Sequence, residues 1–590
     1  MFKGQPKGLF PLALANTGER FGYYTMIAVF ALFLKANFGL SAGTAGLIYS
    51  TFLGLVYFLP LVGGILADKF GFGKMVVIGI SVMFFGYLFL SIPMGGGTTA
   101  LLFMMLALAL ISFGTGLFKG NLQVMVGNLY DDPKYADKRD SGFSLFYMAI
   151  NIGALFAPTA AIKMKEWGMS MGWSENTSYH LSFAVACASL IVSIIIYYAF
   201  RKLYRDVEGE KKGAKAAEKV QELSPEDTKK RIVALCLVFL VVIFFWMAFH
   251  QNGLSLTYFA DEFTERSISG IPSMAFDVVN LVMVIVIVYA LFSLFDKETQ
   301  KKGKVISGLA IAAALGVLYY KSTIVTGSVH VSAPIFQQFN PFYVVALTPV
   351  SLAIFGGLAK KGKEPSAPRK IAYGMLVAAC AFGIMAFASL GLNSPNKQKE
   401  LDQAVKAKTE LLAAEKKAAE KAQPVAMEDY KEETMTIEEI DGEFYVTEET
   451  PAEEPAAVDV AVTEEALDEA PAEIIDRDAI IAAGDAAEKD LTFASPFVLV
   501  LIYLILTFGE LLLSPMGISF VSKVAPPKYK GMMMGGWFVA TAIGNLLVSV
   551  GGFLWGGLPL WSVWCVFLTL CLLSAAFMFI MMKKLEDATK

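Results

Sequence analysis

Residues 10–34 read FPLALANTGERFGYYTMIAVFALFL. The stretch exceeds the roughly 20 residues needed to cross a bilayer as a helix, yet it carries Asn16, Glu19, Arg20, Tyr23 and Tyr24. An ionisable group inside an apolar span costs about 2.5–3.5 kcal/mol even on lenient insertion scales. On a helix these residues recur at i, i+3, i+4, i+7 and i+8 and so share one face. The remaining positions are mostly Leu, Ala, Val, Ile and Phe. One face therefore suits lipid and the other a protein interior or a water-filled cavity. The plainer reading is a Glu–Arg pair that only knits helices together. The stretch is also too long and too polar on one face for a cleavable signal peptide.

The rest of the chain agrees. Of its 590 residues, 56% are hydrophobic and 17% charged, which is too apolar for a soluble protein and fits an all-α polytopic membrane protein. Candidate spans are 10–34, 44–66, 75–92, 99–126, 143–162 and 181–203, then, after a polar linker over 204–231, 232–260, 278–294, 305–320, 335–358 and 372–392. An acidic insertion over 393–491 precedes the last three, 497–521, 532–554 and 558–582. The insertion carries a net charge of −18 against −4 for the whole chain, which leaves +14 on the membrane body. The five cysteines lie in apolar segments with no metal-like spacing and read as small core residues.

Lys and Arg of the short loops fall mostly on one side of the fourteen spans, from Lys3 and Lys7 through Lys69, Lys74 and Lys134 to Lys583 and Lys584, and the opposite side has few. By the positive-inside rule both termini and the linker are cytoplasmic, and the insertion is external. The linker leaves six spans before it and eight after. Two repeated halves of six are the expectation, so 278–294 and 305–320 are the extra pair. The expected units are a first bundle over 1–203, the linker, the start of a second bundle over 232–392 with the extra helices at 278–320, the insertion, and the last three helices over 492–590. Within the insertion, 397–422 predicts an exposed helix, 434–446 a hairpin turning at Asp441-Gly442, and 451–471 disorder. The insertion is either a solvated spacer or a small module for an external partner.

Several short motifs carry more. GGILADKFGFGK at 63–74 supplies glycines for close helix approach and a tight loop, and Asp68 to cap the next helix or meet cations. It resembles the loop motif of the major facilitator superfamily. NTGERFGYY at 16–24 resembles the ExxERFxYY motif of the proton-coupled oligopeptide transporters. FYMAINIGA at 146–154 is similar to that family's fifth-helix motif, and GTGLFKGN at 114–121 to its fourth-helix lysine motif, with Gly120 where the family usually has Pro. Phe245-Trp246 with Gln251, the run 336–341, and Gly509-Glu510 with Ser514-Pro515 also fit. The resemblance covers all twelve core spans and implies a major facilitator fold of two six-helix bundles, here with two extra helices and the external insertion. Bacterial members usually place extra helices between the sixth and seventh core spans; here they follow the seventh.

Charge chemistry reaches the same destination. Glu19, Arg20, Lys119 and Glu510 are intramembrane charges that sum to zero. A short peptide is a zwitterion. Its carboxylate suits Arg20 as a bidentate fork and Lys119 as a point charge; its ammonium suits Glu510. A peptide so held bridges both halves. The resemblance further implies that Tyr23, Tyr24, Tyr57, Asn151 and Asn340 line the pocket and that Trp246 and Trp537 wall it; packing aromatics are the plainer reading of the two tryptophans. Two departures bear on proton coupling. Asn16 replaces the first acid of ExxER, and His250 replaces the acid that usually precedes Gln251. With Asn16 unable to titrate, Glu19 and His250 are the candidates for coupling, imidazole titrating nearest neutral pH. His180 and His330, near external loop ends, are expected to be solvated. No GxxxxGK[ST] loop, nucleophile–base pair or metal cluster is present, which argues against an ATP-driven pump or an enzyme; no cofactor, metal or nucleic-acid partner is expected. The expected function is a secondary active importer of di- and tripeptides with protons, set in the inner membrane. A carrier of another zwitterionic or anionic solute, an uncoupled carrier, or a receptor built on a vestigial transporter are the alternatives.

Overall fold

The computed structural model describes residues 4–209, 224–296, 299–325, 327–422, 438–440, 443–445, 477–526 and 529–588. Two compact units are present: Met1–Pro395 with Thr492–Lys590, and Asn396–Leu491. In the first unit, α1 (Leu9–Phe38), α2 (Ala42–Phe70), α3 (Phe72–Leu90), α4 (Thr98–Asn128), α5 (Arg139–Ser170) and α6 (Glu175–Ala199) form the first half. The second half comprises α7 (Pro225–Phe249), α8 (Ser255–Phe263), α9 (Val278–Phe295), α10 (Lys301–Ile324), α11 (Phe339–Lys360) and α12 (Ala367–Ala388). After the insertion it continues with α15 (Pro496–Val524), α16 (Lys530–Leu546), α17 (Ser549–Leu554) and α18 (Leu560–Asp587). Among the described residues fourteen helical segments are long and apolar enough to cross a membrane. They coincide with the spans read from the sequence, extended by a few residues at most ends.

Local chemistry sets the boundaries. Gly39 in the left-handed region (φ 62°) ends α1, and Ser41 caps α2 by accepting from Thr44 N at 3.2 Å. Ser174 and Ser224 cap α6 and α7 in the same way. Gly71, with φ 91°, makes the α2–α3 turn. No side chain caps α3, and Asp68 is exposed, so the capping role expected for it is not taken up. Gly63 does what its motif requires: a Cβ there would lie 2.1 Å from the carbonyl oxygen of Gly116, so α2 and α4 touch backbone to backbone.

The sequence predicted unbroken helices over 232–260 and 532–554, and both are interrupted. The chain leaves α7 for a 3-10 turn at His250–Gly253 before α8, and α16 stops at Leu546 before α17. The breaks face each other: Gln251 Nε2 donates to Val548 O at 3.0 Å and to Met247 O at 3.0 Å. The freed carbonyl of Asn252 accepts from Tyr503 and Thr257 hydroxyls, each at 2.9 Å. Irregular backbone at membrane depth is tolerated only when its polar groups are satisfied in this way. At Gly253 a Cβ would lie 1.8 Å from the Tyr49 hydroxyl oxygen, so only glycine fits.

The two strands β1 (Ser267–Ser269) and β2 (Ser328–His330) pair antiparallel and join the loops before α9 and after α10. Part of the expected linker is packed structure: Glu208 is buried, accepts from Arg201 Nε at 2.9 Å, and its backbone carbonyl accepts from Gly73 N at 3.0 Å. Residues 210–223 of that linker lie outside the described residues.

The second unit contains α13 (Pro395–Ala422), the helix expected over 397–422, and the antiparallel strands β3 (Glu438–Ile440) and β4 (Glu443–Tyr445) of the expected hairpin. Its turn at Asp441-Gly442 and the disorder expected over 451–471 fall outside the described residues. A helix not anticipated, α14 (Arg477–Asp490), runs antiparallel to α13. Arg477 bonds Glu415 and holds that carboxyl below its usual range, while Lys408 meets Asp485 at 2.6 Å and Glu488 at 3.0 Å.

Candidate functional site

Both halves contribute helices to a central cavity. Tyr23, Tyr24 and Ile27 of α1, Tyr49, Leu53 and Tyr57 of α2, and Asn151, Ala154 and Pro158 of α5 line one wall. Trp246 and Phe249 of α7, His250 and Asn252 of the turn, Gln337, Asn340 and Pro341 at the start of α11, and Glu510 of α15 line the other. The helical spacing of Asn16–Tyr24 explains the first wall: Tyr23, Tyr24 and Ile27 follow Glu19 and Arg20 by one and two turns on one face.

Glu510 is the carboxylate of the lining. Its Oε2 accepts from Asn340 Nδ2 at 2.9 Å, and the same amide donates to Thr507 at 3.0 Å. The cations lie beside the opposite wall. Arg20 is buried and donates twice to Glu19, which is also buried. Its guanidinium carbon sits 4.8 Å from the centre of the Tyr23 ring. Lys119 Nζ sits 3.9 Å from the centre of the Tyr57 ring. Tyr23 and Tyr57, which line the cavity, thus each hold one of the two cations against the ring in a cation–π arrangement. Arg20, Glu19 and Lys119 are therefore not among the lining residues. Neither is Trp537: it is buried, and its ring fills the space beside Gly517, where a Cβ would meet it at 1.9 Å. Trp246 does line the cavity.

His250 stacks on Trp246, with ring centres 5.1 Å apart and planes 20° off parallel, and lies 6.1 Å from the Tyr57 ring. Its Nδ1 has no hydrogen-bond partner in the protein. His180, expected to be solvated, is instead buried, with Nδ1 2.6 Å from Leu90 O and its ring edge-on to Phe33 and Phe183. His330 is exposed on β2. Sequence reading missed Asn252 and Gln337 as cavity residues, although each stands in or beside a motif already singled out, Asn252 directly after Gln251 and Gln337 inside 336–341.

Polar ties join the two halves on the side of the cavity where α1 ends. Gln337 Nε2 donates to Ala28 O at 3.1 Å, Thr159 donates to Gln338 Oε1 at 3.2 Å, and Lys35 Nζ meets Glu262 Oε1 at 2.6 Å. Trp555 Nε1 donates to the other oxygen of Glu262 at 2.9 Å, and Lys35 lies 4.4 Å over the Tyr258 ring.

Comparison with known proteins adds the following. The sequence pattern of the POT family matches residues 73–221, 208–313, 317–415 and 473–551. The chain is 28% identical over 414 residues to the uncharacterized transporter YclF of Bacillus subtilis, an alignment covering 66% of this chain and 75% of that protein. It is 28% identical over 416 residues to dipeptide and tripeptide permease B of Salmonella typhimurium, covering 66% and 75%. The crystal structure of a POT family transporter in complex with a thioalcohol-conjugated peptide superposes with a TM-score of 0.65 at 17% identity, over 99% of this chain and 98% of that one. At that identity the likeness shows the fold, which is the major facilitator fold.

Proposed function

The chain belongs to the POT family, so it is a multi-pass membrane transporter and not an enzyme, and we propose that it imports di- and tripeptides together with protons by alternating access. The observation that carries this is the cavity itself. Glu510 and Asn340 of one half face, across the cavity, a wall in which Tyr23 and Tyr57 of the other half lie against Arg20 and Lys119. A peptide ammonium at Glu510 and a carboxylate drawn past Tyr23 and Tyr57 toward the cations would span both halves. Occupancy could then bias their rocking, because a ligand shifts an equilibrium only through contacts that differ between its states. The names of the relatives, a di- and tripeptide permease and a transporter holding a peptide, support the same substrate class.

In this reading Tyr23, Tyr24, Tyr57, Asn151, Trp246 and Asn340 shape the site, with Trp537 supporting it from behind, and Glu19 and His250 share the proton. A carboxylate that engages Arg20 takes a partner from Glu19, leaving Glu19 free to accept a proton. The lysine and arginine asymmetry supports cytoplasmic termini and an external insertion, and the bacterial relatives support residence in the inner membrane. The test is uptake of a labelled dipeptide into proteoliposomes. Accumulation above equilibrium under an inward proton gradient, and only equilibration without one, is the expected result. Equilibration in both conditions would make the chain an uncoupled carrier.

A further inference from the structure

The extra pair α9–α10 is not used by the transport site. α10 packs on α9 and on the 3-10 turn Ile271–Phe276, and α9 packs in turn on α11, so α9 lies between α10 and α11. α10 is the least buried span, with 11% of its apolar window inside the protein. The β1–β2 pair places the start of α9, the end of α10 and the approach to α11 at one membrane face. The start of α10 and the end of α11 therefore share the opposite face.

That face is basic on both sides of α9. Lys301, Lys302 and Lys304 stand in the first turn of α10; Lys360, Lys361 and Lys363 end α11 and begin its loop. None of the six is in an ion pair among the described residues, since the neighbouring Glu364 and Glu586 are held by Lys370 and Arg369. Three cations in a first turn oppose the helix dipole, and Gln300 offers no side-chain cap there. Between the two rims Phe292 and Phe295 of α9 are exposed.

We propose that this rim binds the headgroup of an anionic phospholipid, whose acyl chains lie along α9 and α10. Two clusters of unpaired lysines flanking exposed aromatic surface match a phosphate joined to apolar chains, and juxtamembrane lysines each add to attraction for anionic lipid. This reading does not depend on the transported solute.

The probe is chain-labelled phosphatidylglycerol against phosphatidylcholine in vesicles holding the full chain, with the motionally restricted fraction read by electron spin resonance. The parent is expected to select phosphatidylglycerol roughly tenfold and to lose that selection as ionic strength rises. Lys301/302/304→Gln and Lys360/361/363→Gln should each reduce it severalfold, while Lys583→Gln with Lys584→Gln, on the same face but at the end of α18, should not. The salt series needs no variant, so a poorly folding triple variant does not remove the test. Equal association of the two lipids with the parent, selection that survives both triple variants, or its loss to inorganic phosphate at constant ionic strength (a free-anion site) would each overturn the proposal.

Discussion

Glu510 and Asn340 set the first expectation at the scale of single residues. A ligand ammonium placed against Glu510 makes a charge-assisted hydrogen bond, and losing such a bond is worth about 1.5–3 kcal/mol. Glu510→Gln keeps the size and can still accept from Asn340, but it removes the charge. Affinity for free-amine dipeptides should fall about tenfold or more, while N-acetylated dipeptides, which present no ammonium, should change little; competition against a labelled dipeptide reads both. Equal loss for the two would detach Glu510 from the amine. His250 is the second case. Its ring is stacked on Trp246 and its Nδ1 is unpartnered, so the ring is held by packing and not by a hydrogen bond at that nitrogen. His250→Gln removes titration while keeping polar atoms at the site. The variant should lose pH-driven accumulation yet still exchange labelled for unlabelled peptide at equilibrium. Full accumulation would leave His250 a structural residue.

At the scale of elements, the broken helices tie chemistry to movement. Gly253 admits no side chain because Tyr49 of the other half occupies the place. Gly253→Ala should therefore overpack this contact at a cost of about 1–3 kcal/mol, seen as a lower thermal midpoint. Tyr49→Phe in the same chain removes the clashing oxygen and should recover part of the loss; no recovery would show that the strain lies elsewhere. These breaks mark the limit of what the sequence made legible. Span existence was plain, because twenty apolar residues have few other fates. The polar face of α1 was plain too, because charge in a span is costly. The turn at His250–Gly253 was not: its cause is the pairing of Gln251 with Val548, almost 300 positions away. For the same reason the sequence placed Arg20, Lys119 and Glu510 within spans but could not see Tyr23 and Tyr57 lying against the two cations. The inward packing of His180 was likewise invisible, because it depends on the carbonyl of Leu90 on another helix.

At the scale of the whole molecule, sidedness decides which way the cavity works, and it follows from counting. Eleven spans precede the insertion and three follow it, with α7 and α8 forming one span. If the N-terminus is cytoplasmic, an odd number places the insertion outside, and the linker, after six spans, stays inside with the C-terminus. The extra pair α9–α10 is even and changes none of this. The Lys35–Glu262 tie, at the end of α1, then closes the external mouth. In a cysteine-free background carrying Ala154→Cys, an impermeant thiol reagent added outside should label the cavity several-fold faster once Lys35→Met breaks the tie, and Lys35→Arg should restore the slow rate. The orientation beneath that expectation has its own test. The insertion holds 28 acidic residues over 393–491, so an acid-specific protease added to intact spheroplasts finds many sites there if it is external. Cleavage should be confined to that segment, leaving an N-terminal fragment that ends after α12 and a C-terminal one that begins before α15. The segment 204–231 should be cut only after the membrane is opened. Cutting there from outside would invert the molecule and put the Lys35–Glu262 tie on the cytoplasmic side.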